Sequence, residues 1–318
     1  VNQPATAKPT SATLGYPLAV SAGIITAIQS RVNGGLADYL GSGLNAALIN
    51  FTIGLLIVST LVVLVPRSRA GVVTVYQALR SKALPWWALI GGVFGAFFIA
   101  IQSTSVPVIG VALFSVALVA GQTVSSLLVD RLGIGSHTAM PVTTARIVGT
   151  AMAVIAVFIA VSDQWSSQEG GFWLLIGLSF LAGLLVALQQ AVNGKVAMMA
   201  KSAPAATLGN FIVGALTLAS VVAISGTTVG NVGTIDFSGP GWAYLGGVLG
   251  VAFIGIAAFT VPILGVLSFA LAVIAGQLAG AIALDLIWPA TAHPVTLAVL
   301  AGAALAALAA FVGRRRSS

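Results

Sequence analysis

Ten stretches of about twenty mainly apolar residues, separated by short polar interruptions, constrain this chain more than any single motif. They run over 15–37, 43–65, 86–105, 107–129, 141–161, 172–194, 204–225, 241–260, 262–284 and 295–312. Each is long enough to cross a bilayer core as a helix. A membrane β-barrel would alternate apolar and polar residues, but LAVIAGQLAGAIAL and LAVLAGAALAALAAFV are apolar on every side. Only 6% of the 318 residues are charged and mean hydropathy is +1.09, whereas soluble domains carry roughly a quarter charged residues. The expected fold class is an all-α membrane protein with ten transmembrane helices.

The chain has no cysteine, which removes disulfide and thiolate chemistry. Its two histidines, His137 and His293, fall between apolar stretches, so no metal cluster is expected. The net charge of +7 does not point to nucleic acid, because the bases follow membrane topology. With the N-terminus in the cytoplasm, Lys8, Arg67, Arg69, Arg80, Lys82, Arg131, Arg146, Lys195, Lys201, Arg314, Arg315 and Arg316 all lie inside, leaving only Arg31 outside. Both termini are therefore expected in the cytoplasm. Residues 1–14 lack the pattern of a secretory signal and read as a disordered cytoplasmic tail; 313–318 read as a basic one.

The chain also repeats itself. IQSRVNG from Ile28 matches LQQAVNG from Leu188, and Asn50-Phe51 and Gly54 match Asn210-Phe211 and Gly214, all at an offset of 160. GGVFGAFF from Gly91 matches GGVLGVAF from Gly246, Val106-Pro107 matches Val261-Pro262, Gly121-Gln122 matches Gly276-Gln277, and Asp130 matches Asp285, at an offset of 155. The shift falls between 66–85 and its shorter counterpart 226–240, in connections where deletions are tolerated. The expected organisation is a first five-helix repeat, 15–161, an external linker, 162–171, and a second repeat, 172–312. Five is odd, so the copies should cross the membrane in opposite senses. The base-free 226–240 and the acidic 162–171 agree with an external position.

Two fused five-helix units, each with VNG ending its first helix, NF in the second, a Gly-rich third and GQ in the fourth, resemble the drug/metabolite transporter superfamily, and within it the YdcZ-like inner-membrane exporters. The resemblance covers roughly 15–312. It implies an EamA-like architecture in a bacterial inner membrane, secondary transport, and a central pathway lined by the first four helices of each half.

Polar groups in hydrocarbon are costly unless paired or wet. Gln29 and Asn33 stand one turn apart on the first helix, and Gln189 and Asn193 repeat the arrangement. With Asn50 and Asn210 they are candidates for a substrate pathway, against a plainer role in hydrogen bonding between helices. Gln122 and Gln277 join the candidates because a glycine precedes each; Gln102, whose counterpart is Ala257, marks a break in symmetry. Arg31 reads as a snorkelling charge neutralised by Asp38, or as an outer-mouth charge. Asp285 and, less so, Asp130 beside Arg131 are candidates for proton coupling, since neither first helix holds the embedded glutamate on which related proton-coupled exporters depend. Pro107 and Pro262 are expected in the first turn of the fourth helices, the GxxxG pairs at Gly91 and Gly246 as packing faces, and Trp86, Trp87 and Trp242 as interfacial anchors.

The leading reading is an exporter of a small neutral, zwitterionic or modestly polar molecule working by alternating access, with Phe51, Phe97, Phe98 and Phe211 available to apolar parts of the cargo. A lipid flippase and a non-transporting subunit of a membrane complex are the alternatives. No span contains a His, Cys or Glu, which argues against an enzyme. No cofactor is expected; the partners are a small-molecule substrate, the lipid bilayer, and a second copy through the fifth and tenth helices.

Overall fold

The computed structural model describes residues 9–133, 143–164, 170–225, 239–264, 266–288 and 295–313. The expectations for residues 1–8, His137, His293, Glu169, most of 226–240 and Arg314 to Arg316, and for the side chain of Asp130, lie outside the described residues. Helices fill these segments: α1 (Pro9–Leu40), α2 (Gly43–Leu64), α3 (Pro66–Arg80), α4 (Gly91–Leu132), α5 (Thr144–Ala160), α6 (Gly170–Ala200), α7 (Ala203–Ser225), α8 (Gly246–Leu264), α9 (Val266–Ile287) and α10 (Leu297–Gly313). There is no strand among the described residues. Among the described residues six helical stretches are long and apolar enough to cross a membrane. Bulky apolar side chains such as Leu56, Leu64, Phe158, Leu174, Leu216, Ile224 and Phe311 face outward, as a chain solvated by lipid requires.

Local chemistry explains the joints. Gly41, at φ 62°, ends α1 in the left-handed conformation that glycine tolerates, and Ser42 then caps α2 by accepting from Asn45 N–H. The matching joint between α6 and α7 uses Lys201, at φ 48°, followed by Ser202, which accepts from Ala205 N–H. Pro66 starts α3, where a missing N–H costs little. This helix occupies what the sequence suggested was a loop: its small face, Ser68 and Gly71, packs on Ser202 and Ala205, while Arg67, Arg69, Val73 and Tyr76 stay exposed.

The largest departure from expectation is α4. A straight helix of its 42 residues would be about 63 Å long, roughly twice a bilayer core. The helix breaks at Gly110, with φ 81° and ψ 166°, a conformation open essentially only to glycine. Pro107 therefore sits in the last turn of the arm before the break, and the turn is made at Gly110. The two arms run in opposite directions along α6. In the first arm Gly91 faces Asn193 and Gly95 faces Gln189; in the second Gly121 faces Phe180 and Ser125 Oγ donates to the Leu184 carbonyl at 3.0 Å. In the same way α8 and α9 flank α1, with Gly246 facing Asn33 and Gly276 facing Val20. Each half of the chain thus holds the first helix of the other half between two helical segments: the arms of α4 on α6, and α8 and α9 on α1.

Equivalent residues meet at the centre. Phe51 on α2 lies against Gly214 on α7, Phe211 against Gly54, and the two rings pack 5.2 Å apart at 58°. Both phenylalanines are thereby buried. The helices α5 and α10 pack on each other: a methyl on Gly149 would meet the Ala309 carbonyl, and one on Gly302 the Ala156 carbonyl. The alanine-rich face of α10 is thus used within the chain. A second copy would instead meet side chains such as Ile155, Phe158, Leu300 and Leu308.

Candidate functional site

The sequence candidates separate into two amide clusters and one charged corner. In the first cluster Asn50 Nδ2 donates to Asn33 Oδ1 at 2.9 Å, and Asn33 Nδ2 donates to Gln102 Oε1 at 2.6 Å. Gln102 Nε2 donates to Ser30 Oγ at 2.7 Å. Gln29 Nε2 crosses to the other half and donates to the Gly246 carbonyl at 2.9 Å. Asn33, Gln102 and Ser30 are 0% exposed. The cluster can lie this close to α8 because Gly246 has no side chain; a methyl there would strike Asn33 Oδ1 and Asn50 Oδ1. Glycines suggested in the sequence as helix-packing faces are therefore the seats on which the amides rest.

In the second cluster Gln189 Nε2 and Asn193 Nδ2 both donate to Asn210 Oδ1, at 3.2 and 3.0 Å. They rest on Gly95 and Gly91 of the first arm of α4, as the first cluster rests on α8. The clusters are not equally closed. Gln189 and Asn193 are partly exposed, and Asn210 is 9% exposed. Where Gln29 reaches across to backbone of the other half, Gln189 bonds Asn210 within its own. The second cluster also lacks the brace that Gln102 and Ser30 supply, since their counterparts are Ala257 and an exposed Gln190.

The structure does not bring Gln122 and Gln277 into either cluster by any hydrogen bond among the described residues. Gln277 is 2% exposed, and its Nε2 is buried without a hydrogen-bond partner. Ser30 was not a sequence candidate; its signal was its place one turn before Asn33, on the same helix face. Phe97 is exposed and Phe98 packs against the core, so neither joins the Phe51–Phe211 pair.

The charged corner lies at the Gly110 break. Asp285, near the end of α9, accepts from Val111 N–H at 3.2 Å and from Ala112 N–H at 2.7 Å. These amides open the second arm of α4 and have no carbonyl one turn back to bond, so the carboxylate satisfies them and lies at the positive end of that helix. A methyl on Gly110 would come 2.8 Å from Asp285 Oδ2. Arg31, 8% exposed, holds its guanidinium 5.1 Å over the Trp288 ring, and Trp288 packs edge-on against Trp242 with centroids 4.8 Å apart. Trp242 in turn covers Gly35. At the equivalent place near the other cluster, Lys195 Nζ lies 4.7 Å over Trp87. The Arg31 charge thus lies on an aromatic face, and Asp38, the neutralising partner expected from the sequence, is close enough to interact with it.

Little empty space accompanies these groups. A cavity of about 90 Å³ between α2, α7 and α8, lined by Val58, Leu61, Ala203 and Ile254 among others, is well below the ~300 Å³ of a ligand pocket. No group of three or more His, Cys, Asp or Glu able to hold a metal occurs among the described residues.

Among curated proteins none matches the chain. A solved structure titled only "Crystal structure of protein" is similar at 21% identity over 96% of this chain and 97% of that one, with a TM-score of 0.48. A family model described as "Putative inner membrane exporter, YdcZ" matches residues 14–159 and 174–312, two regions that divide the chain where its repeat does. A helical membrane protein matched over both halves in this way belongs to the YdcZ family of inner-membrane exporters.

Proposed function

We propose that the chain is a secondary transporter that exports a small neutral, zwitterionic or modestly polar molecule by alternating access. In this reading ten crossings form two inverted five-helix halves, with both termini in the cytoplasm and the Asn33 cluster on the outer side. The observation that carries the proposal is the pair of matched amide clusters, each built by one half and seated on glycines of the other, one sealed and one partly exposed.

Such seats suit a contact that must open and remake. Amides over a glycine face do not interdigitate, and hydrogen bonds between membrane helices average only ~0.6 kcal/mol. A few of them close a mouth without locking it. The same amides donate and accept, so they fit cargo with uncharged polar groups once a mouth opens.

The test is efflux from proteoliposomes against a broad metabolite panel, with thermal-shift screening of the same compounds. A compound that moves and stabilises the wild type but fails to stabilise both Asn33→Ala and Asn193→Ala identifies the pathway. Absence of flux for every compound, with the protein folded, refutes the reading.

A further inference from the structure

The break in α4 is held from outside its own half. Val111 and Ala112 are 0% and 3% exposed, so their unpaired N–H groups would be costly in hydrocarbon. Asp285 satisfies both, and it comes from α9, in the other half of the chain. The charged group facing it is Arg31 of α1, which Asp38 of the same helix also faces. The arms of α4, α8 and α10 bring no other titratable side chain to it among the described residues. A cavity of about 10 Å³, roughly the space of one water, touches Asp285 and is also lined by Gln164, Phe172 and Val295. A single water there would stand within reach of the carboxylate.

We propose that Asp285 is a proton-binding gate residue: ionised, it fixes the Gly110 break; protonated, it frees the Gly91–Ile109 arm to swing away from the Asn193 cluster. The chemistry is a single proton moving from water onto a carboxylate oxygen. The charge is lost, and hydrogen bonds to a neutral acceptor are worth roughly half those to a charged one. Gly110 is the pivot because it alone departs from helical geometry in α4. An arm of about 28 Å turns a small rotation there into a large displacement at Gly91, where Asn193 and Gln189 rest. A proton taken up near one end of the bundle thereby governs the cluster at the other. The inference rests on the alternating-access reading for its purpose, while its geometry stands apart from that reading.

The experiment is hydrogen–deuterium exchange on the full chain in lipid nanodiscs, from about pH 8 to about pH 4, corrected for intrinsic rates. In the wild type the Val111 and Ala112 amides should lose roughly tenfold protection on acidification. The Phe94–Phe98 amides should follow, while Gly121–Ser125 stays unchanged. Asp285→Asn should show the low protection at every pH. Wild-type protection that does not change with pH overturns the proposal even if the variant fails to fold. So does an Asp285→Asn variant that retains wild-type protection, and loosening at Val111 without change at Phe94–Phe98 overturns the swinging arm. No cargo enters this measurement, so failure of the efflux panel and failure of the gate are separate results.

Discussion

Asn33 and Asn193 are equivalent in the sequence and unequal in the structure, and their alanine variants should differ accordingly. Asn33→Ala removes the bond from Asn50 and the bond to Gln102, two contacts at about 0.6 kcal/mol each. It also leaves Gln102 Oε1 and Asn50 Nδ2 buried without those partners, at about 1 kcal/mol or more apiece. Asn50 Oδ1 already has no partner, so its amide is left with nothing. The sum is about 3 kcal/mol. Asn193→Ala removes one bond, to an Asn210 Oδ1 that Gln189 still serves, in a partly exposed place; the loss is about 0.6 kcal/mol. Equilibrium unfolding in bicelles by steric trapping can resolve a gap of this size. Equal losses, or a larger loss for Asn193→Ala, would refute the reasoning.

Gly246→Ala pushes a methyl into Asn33 Oδ1 and Asn50 Oδ1, an overpacking worth about 1–3 kcal/mol, and should loosen the Asn33 cluster. Labelling of a Ser30→Cys reporter by a membrane-impermeant thiol reagent should rise, with no background because the natural chain has no cysteine. Gly110→Ala combines an unfavourable φ of 81° with a methyl 2.8 Å from Asp285 Oδ2, and should cost about 2–4 kcal/mol in the same unfolding assay. A cysteine at exposed Arg67 should react with the impermeant reagent in inside-out vesicles and not in intact cells, which measures the proposed orientation directly.

The elements most legible in the sequence were those fixed by hydropathy or by repetition. Apolar length marked the helices, and the constant offsets paired Asn33 with Asn193 and Gly91 with Gly246 before any contact was known. The α3 helix was hidden because, at 15 residues with Arg67, Arg69 and Arg80, it is too short and too polar to read as a span, although Val72, Val75, Ala78 and Leu79 give it an apolar stripe. The turn in α4 was placed at Pro107 because proline usually opens a helix. Proline in a last turn removes one hydrogen bond, whereas reversal needs a φ that only Gly110 can take. The Gln102 and Ala257 mismatch was visible, yet its consequence was not: that Gln102 braces Asn33 and Ser30 depends on a crossing of α1 with α4 that no local pattern encodes.

The packing of α4 on α6, and of α8 and α9 on α1, also decides where motion can occur. Gly23 and Gly276 bring the α1 and α9 backbones into contact near their middles, and Gly183 and Gly121 do the same for α6 and the second arm of α4. Backbone contacts this close leave no side chains to slide, so each pair behaves as a rigid unit drawn from both halves. What remains free to move is the first arm of α4, joined to its unit through the turn at Gly110 and lying against α6. That arm carries Gly91 and Gly95, which seat the Asn193 cluster, and also Gln102, which braces the Asn33 cluster. Movement of the arm would therefore reach both clusters. In the proposed alternating-access cycle Asp285, which reaches from α9 to the Gly110 break while Arg31 of α1 packs on Trp288 beside it, is placed to tie that pivot to the α1–α9 unit.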